Sequence, residues 1–168
     1  MLVFGGSQGA KAINAAVAPA MKAAGIDAQV LHLAGKDKSR EAVDAYGDAG
    51  IRATVLDYCE DMASAYAAAD VVVCRSGAST LAELAAQKKR AILVPYPHAA
   101  ANHQDFNARV FERIGAAKRI PENELGTHLG TALAEMLSST TSPAYAELGL
   151  PSADRTTTNF VDELERLL

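Results

Sequence analysis

Short apolar runs alternate along this chain with longer, alanine-rich stretches in which apolar and polar positions recur at helical spacing. Residues 2–4, 29–34, 53–56, 71–74 and 91–95 are near-continuous aliphatic runs, and 117–120 is a weaker sixth. Runs of this length with little polar alternation read as strands covered on both faces. Between them, residues 9–24, 38–49, 61–69, 79–87 and 102–114 read as helices, and further helical pieces follow Glu124, the last at 154–168. Strict alternation of the two element types predicts the α/β class, a Rossmann-like parallel sheet with helices on both faces. Right-handed crossovers then bring every strand-to-helix loop to one edge of the sheet, where ligands of open α/β sheets bind. That edge carries five loops: 5–9, 35–37, 57–61, 75–80 and 96–104. The Ser/Thr-rich stretch 138–142 and the Pro151 stretch 149–152 read as joints between terminal helices, so residues 1–168 are expected to form one domain.

Composition narrows the function classes. A chain of 168 residues, 49% of them hydrophobic, can bury a core without disulfide staples. Its only cysteines, Cys59 and Cys74, stand outside any CxxC or metal-finger spacing and are expected to be core thiols in a reducing compartment. Neither an apolar run near the roughly 20 residues of a membrane span nor a secretory leader pattern is visible, so a cytoplasmic location is expected. A net charge of −4 argues against nucleic-acid binding, and the lack of Trp removes broad base-stacking platforms.

The candidate chemistry lies in the loops. Gly5-Gly6-Ser7-Gln8-Gly9-Ala10-Lys11 opens the first helix, where glycines allow close backbone approach and free N–H groups favour an anion. It lacks the Gly-Lys-Ser/Thr ending of a Walker A loop. It also supplies GGxxG rather than GxGxxG, and 33–35 offers no acidic residue for a ribose. A tight packing turn is the bland alternative. Arg75-Ser76-Gly77-Ala78-Ser79-Thr80 adds a second small-residue loop at the same edge. Glu83 has two readings: the closing residue of a Thr80-x-x-Glu83 capping box, or a carboxylate accepting both hydroxyls of a ribose. In the third loop Asn102 could cap the following helix, with Asp105 in its first turn. His98 and His103 have no ligand-spaced partners, so no metal site is expected. The fourth loop, 57–62, could border a base, although its acidic residues suit a helix N-terminus equally well.

Taken together, Gly5–Ala10, Asp61-Met62 with Tyr66, Ala69-Asp70-Val71, Arg75–Glu83 and His98…Gln104-Asp105-Phe106-Asn107-Ala108 closely resemble the MurG family. These are bacterial UDP-N-acetylglucosamine transferases that convert lipid I to lipid II in peptidoglycan synthesis. The resemblance runs through nearly the whole chain but covers only the C-terminal, donor-binding half of a GT-B glycosyltransferase. It implies that an N-terminal acceptor domain, which docks on the cytoplasmic face of the membrane, is absent here, and that helix 154–168 lacks its usual neighbour. It further implies contacts from Ser7 with Gly6 and Gly9 to the diphosphate. Cys59, with Met62 nearby, would meet uracil. Ala78, Ser79 and Thr80 would contact sugar and phosphate, and Glu83 the ribose. Gln104, with Asn102 or His103, would read the N-acetylglucosamine hydroxyls.

No cofactor or metal is implied, and the catalytic base is expected from the absent half, so the chain by itself should bind donor and transfer nothing. Gln87-Lys88-Lys89-Arg90 departs from the family's Gly-Pro before the strand, and Ala101 replaces a common acidic residue. Rival readings are the donor half of another GT-B enzyme (a glycolipid glycosyltransferase or a UDP-N-acetylglucosamine 2-epimerase) and a free-standing donor-binding subunit that completes its site with a membrane partner.

Overall fold

The computed structural model describes residues 1–6, 8–139 and 143–148. Six parallel strands form one sheet: β1 Leu2–Phe4, β2 Val30–Leu33, β3 Ala53–Leu56, β4 Val71–Cys74, β5 Arg90–Leu93 and β6 Ala117–Arg119. Their order is β3-β2-β1-β4-β5-β6. The connecting helices are α1 Lys11–Ala23, α2 Ser39–Ala49, α3 Met62–Ala67, α4 Ala78–Ala86, α5 His103–Arg113 and, after β6, α6 Leu125–Ser138. The expected strands are all present, the weak sixth included, and the expected helix 154–168 lies outside the described residues.

Two-sided burial explains the apolar runs, because successive side chains of a strand point to opposite faces. Leu2 and Phe4 face one core with Cys74, Leu81, Leu84 and Phe111. Val3 faces the other with Ile13, Val17, Ile92 and Leu129. β1 pairs with β2 on one side and with β4 on the other. Successive strands therefore run outward one way from β1 and the other way from β4. The loops after β1 and β4 diverge at this switch point and leave a crevice at the carboxyl edge.

A buried polar chain ties helices α1 and α2 to strand β2. His32 is fully buried in β2 and bonds Tyr46 through Nδ1 at 2.9 Å and Asn14 Oδ1 through Nε2 at 3.1 Å. Asn14 Nδ2 donates onward to the Ala34 carbonyl at 2.8 Å. Since Asn14 accepts through its oxygen, His32 must carry its proton on Nε2 and accept from the Tyr46 hydroxyl at Nδ1. Every member is thereby satisfied, as buried polar groups require.

Candidate functional site

The first loop is shaped by glycine. Gly6 and Gly9 both take positive φ, +82° and +69°, and the Gly9 N–H donates to the Gly6 carbonyl at 2.9 Å. The Gly9 amide is thus engaged within the loop, and its lack of a side chain lets the backbone cross Ala34 and Gly35. Helix α1 follows with Ala10 at its N-cap and no side-chain capping bond; its first backbone bond is Asn14 N–H to the Ala10 carbonyl. The N–H groups ahead of that bond are available to an anion. Ser7, singled out from the sequence, lies outside the described residues.

The second loop ends in the same way across the switch point. Gly77 is the N-cap of α4, in extended conformation and without a side-chain bond, and Leu81 N–H to the Gly77 carbonyl is the first helical bond. The N–H groups of Ala78, Ser79 and Thr80 therefore precede that bond and carry the positive end of the helix dipole. This corrects the capping-box reading. Thr80 is already the third helical residue, so Glu83 sits in the second turn, too far along to reach an N-cap. Glu83 is exposed, and its Oε2 accepts a 2.9 Å hydrogen bond from the buried Tyr66 hydroxyl of α3.

Arg75 carries a charge at this edge but is committed to structure. Its guanidinium donates to the Val94 and Pro95 carbonyls at 3.2 Å, pairs with Glu122 and lies over the Tyr96 ring. Ser76 and Asn107 stitch the second loop to α5: Ser76 Oγ donates to the Gln104 carbonyl at 2.7 Å, and Asn107 Nδ2 donates to the Ser76 carbonyl at 3.0 Å. These braces join residues 19 to 47 positions apart, and no local spacing in the sequence announces them.

In the third loop Ala101 and Asn102 adopt consecutive left-handed conformations. Asn102 occupies the N-cap position of α5, yet its side chain makes no capping bond, contrary to expectation. Asp105 does stand in the first turn, paired with Arg109 and Arg119. Gln104 Oε1 accepts from the Tyr96 N–H at 3.0 Å, which leaves the Nε2 amide as the group Gln104 can offer a ligand. His103 is exposed and bonds the Ala100 carbonyl through Nδ1 at 2.7 Å. In the fourth loop Asp61 caps α3 by accepting from Ser64 N–H at 3.0 Å, and bonds to Ser64 hold its carboxyl below the ordinary value. Cys59 and Met62 are half-buried against the first core. Cys74 is fully buried, and burial raises its thiol pKa.

Cavities open at both edges of the sheet. One of about 610 Å³ opens at the carboxyl edge, lined by Pro95, Asn102, Asp105, Arg119 and Glu122 among others. A larger one, about 920 Å³, lies at the opposite edge against Met1, Gln29, Leu31, Arg52 and Thr54. Its position behind the strands' amino ends separates it from every loop built above. No group of three or more His, Cys, Asp or Glu that could hold a metal exists among the described residues.

The glycosyltransferase family 28 C-terminal domain matches residues 1–158. The chain is 51% identical over 141 residues to the UDP-N-acetylglucosamine–N-acetylmuramyl-(pentapeptide) pyrophosphoryl-undecaprenol N-acetylglucosamine transferase of Halorhodospira halophila, covering 82% of this chain and 39% of that protein. The enzyme of the same name from Aeromonas hydrophila is 46% identical over 127 residues, covering 76% of this chain and 35% of that protein. A crystal structure of Acinetobacter baumannii MurG superposes with a TM-score of 0.81 at 33% identity, over 98% of this chain and 49% of that one. The chain thus spans less than half the length of each of these relatives.

Proposed function

Because this chain belongs to the glycosyltransferase family 28 C-terminal domains, we propose that it binds UDP-N-acetylglucosamine as the donor half of an inverting transferase that converts lipid I to lipid II. The observation that carries this reading is the pair of helix N-termini without side-chain caps, α1 and α4, flanking the switch point, with exposed Glu83 in the second turn of α4. Such termini suit a diphosphate, and a carboxylate suits the vicinal hydroxyls of a ribose. Gly6 and Ser7, with the loop that Gly9 shapes, would border the diphosphate together with Ala78, Ser79 and Thr80. Cys59 and Met62 would border uracil. Asn102, His103 and Gln104 would meet the sugar beside the smaller cavity.

In the whole enzyme a hydroxyl of the acceptor attacks the anomeric carbon from the face opposite the diphosphate. The new C–O bond forms as the bond to the β-phosphate oxygen breaks, and the acceptor proton passes to a general base of the acceptor domain. Charge accumulates on the departing diphosphate, where fixed N–H groups and two helix dipoles stabilise it without reorganising. The acceptor, the membrane contact and the base belong to that second domain in this reading. Among the described residues no helix is long and apolar enough to cross a membrane.

Calorimetric titration of the chain and its Glu83→Ala variant with UDP-N-acetylglucosamine tests the proposal. Loss of charge-assisted bonds to two hydroxyls is expected to weaken binding about ten- to hundredfold. Unchanged affinity would remove Glu83 from the site. UDP-glucose binding as tightly as UDP-N-acetylglucosamine would contradict the sugar assignment.

A further inference from the structure

We infer that Tyr66 is a positioning residue that holds the Glu83 carboxylate in the orientation that receives the ribose, an inference resting on the ribose reading of Glu83 above. Tyr66 is 1% exposed. Its ring is fixed edge-on against Phe4 of β1, with centroids 5.9 Å apart at 87°. From that packed position its hydroxyl donates to Glu83 Oε2 at 2.9 Å. Burial first, then the neighbouring Cys74 and Glu83, raises the phenol above its ordinary pKa, so it stays a donor at any working pH. Glu83 itself is exposed on α4. An unrestrained glutamate there would sample several rotamers and lose that freedom on binding. One hydrogen bond from a fixed hydroxyl removes part of that loss in advance, and the remaining lone pairs of the carboxylate stay open for two ribose hydroxyls.

Location gives the contact a second consequence. Tyr66 lies on the same short helix as Met62, directly after the loop that carries Cys59. The bond to Glu83 therefore fastens the element proposed to border the base to the one proposed to grip the ribose. A nucleoside spans both elements.

Tyr66→Phe deletes the hydroxyl while keeping the ring in its packing place, and exposed Glu83 is rehydrated rather than orphaned. The variant should melt within a few degrees of the parent. Binding of UDP and of 2′,3′-dideoxy-UDP is measured by calorimetry on the parent chain, Tyr66→Phe, Glu83→Ala and the double variant. Tyr66→Phe is expected to weaken UDP about fivefold and to leave the dideoxy nucleotide nearly unchanged, so the ribose preference shrinks. In the Glu83→Ala background it should add no further loss, since the hydroxyl acts only through the carboxylate. Glu83→Asp leaves the buried tyrosine intact and withdraws the carboxylate by one methylene, and it should lose ribose preference too. Parental preference in Tyr66→Phe or in Glu83→Asp would overturn the inference, as would an equal loss for both nucleotides. If Glu83→Ala abolishes the preference and Tyr66→Phe retains it, the positioning role alone falls. If Glu83→Ala retains it, the ribose reading falls as well.

Discussion

Replacing Gly9 by alanine is expected to destabilise the fold by roughly 3 kcal/mol or more and to abolish donor binding with it. Two effects add at this position. The backbone holds φ at +69°, where a side chain costs about 1–2 kcal/mol. A Cβ would also stand 2.0 Å from the Ala34 carbonyl oxygen and 2.8 Å from its carbon. That carbonyl cannot retreat easily. It accepts the Asn14 side chain, and the Ala34 N–H is bonded to Leu56 of β3. The loop itself would have to lift off β2, carrying the start of α1 away from the switch point. Gly6 supplies the control, since it also has positive φ but meets nothing within 4 Å. Gly6→Ala should lose only about 1 kcal/mol and fold normally. Urea midpoints compare the two, and equal losses would show that the crossing at Ala34 is not what demands glycine.

Acid should weaken the fold through His32, starting at a pH above the range in which carboxylates titrate. Burial lowers its pKa from 6.5 to about 4. Above 6.5 the imidazole is neutral in both the folded and unfolded chain, and the stability of the Asn14–His32–Tyr46 chain is fully present. Between 6.5 and 4 the unfolded chain takes up a proton that the folded chain refuses, so stability falls with falling pH. The slope approaches about 1.4 kcal/mol per unit and totals roughly 3 kcal/mol by pH 4. The folded form refuses the proton because His32 is fully buried, and an imidazolium there would lose its hydration. Denaturant titrations from pH 7 to 5 on the parent and on His32→Gln isolate the contribution. The parent should lose stability faster by up to about 1 kcal/mol per unit, and parallel curves would contradict the assignment.

The fold class was legible because β1, β2, β4 and β5 are buried on both faces and therefore written as largely apolar runs, whereas the edge strands β3 and β6 are only partly covered. The common edge of the loops followed from the handedness of the crossovers. Strand order did not follow, and it is the order that makes the β1 and β4 loops neighbours across a crevice. Glu83 shows where local spacing misleads. Thr80-x-x-Glu83 has the form of a capping box, but Gly77 already has the extended N-cap conformation three residues earlier and moves Thr80 inside the helix. Its partner Tyr66 stands 17 residues away on another helix, a contact that only the packed sheet creates. His32 was equally hidden, a lone histidine in an apolar strand whose two partners come from α1 and α2. Arg75 reads as a charge beside a proposed phosphate loop, yet folding turns it toward the Val94 and Pro95 carbonyls and Glu122.

The proposed function places the donor at the carboxyl edge, between the N-termini of α1 and α4. Amide proton–nitrogen spectra of the chain titrated with UDP-N-acetylglucosamine test it most directly. The largest shifts are expected at Gly6, Ala78, Ser79 and Thr80, with smaller ones around Cys59 and Gln104. Shifts gathered instead around Gln29, Leu31, Arg52 and Thr54, at the larger cavity on the opposite edge, would contradict it.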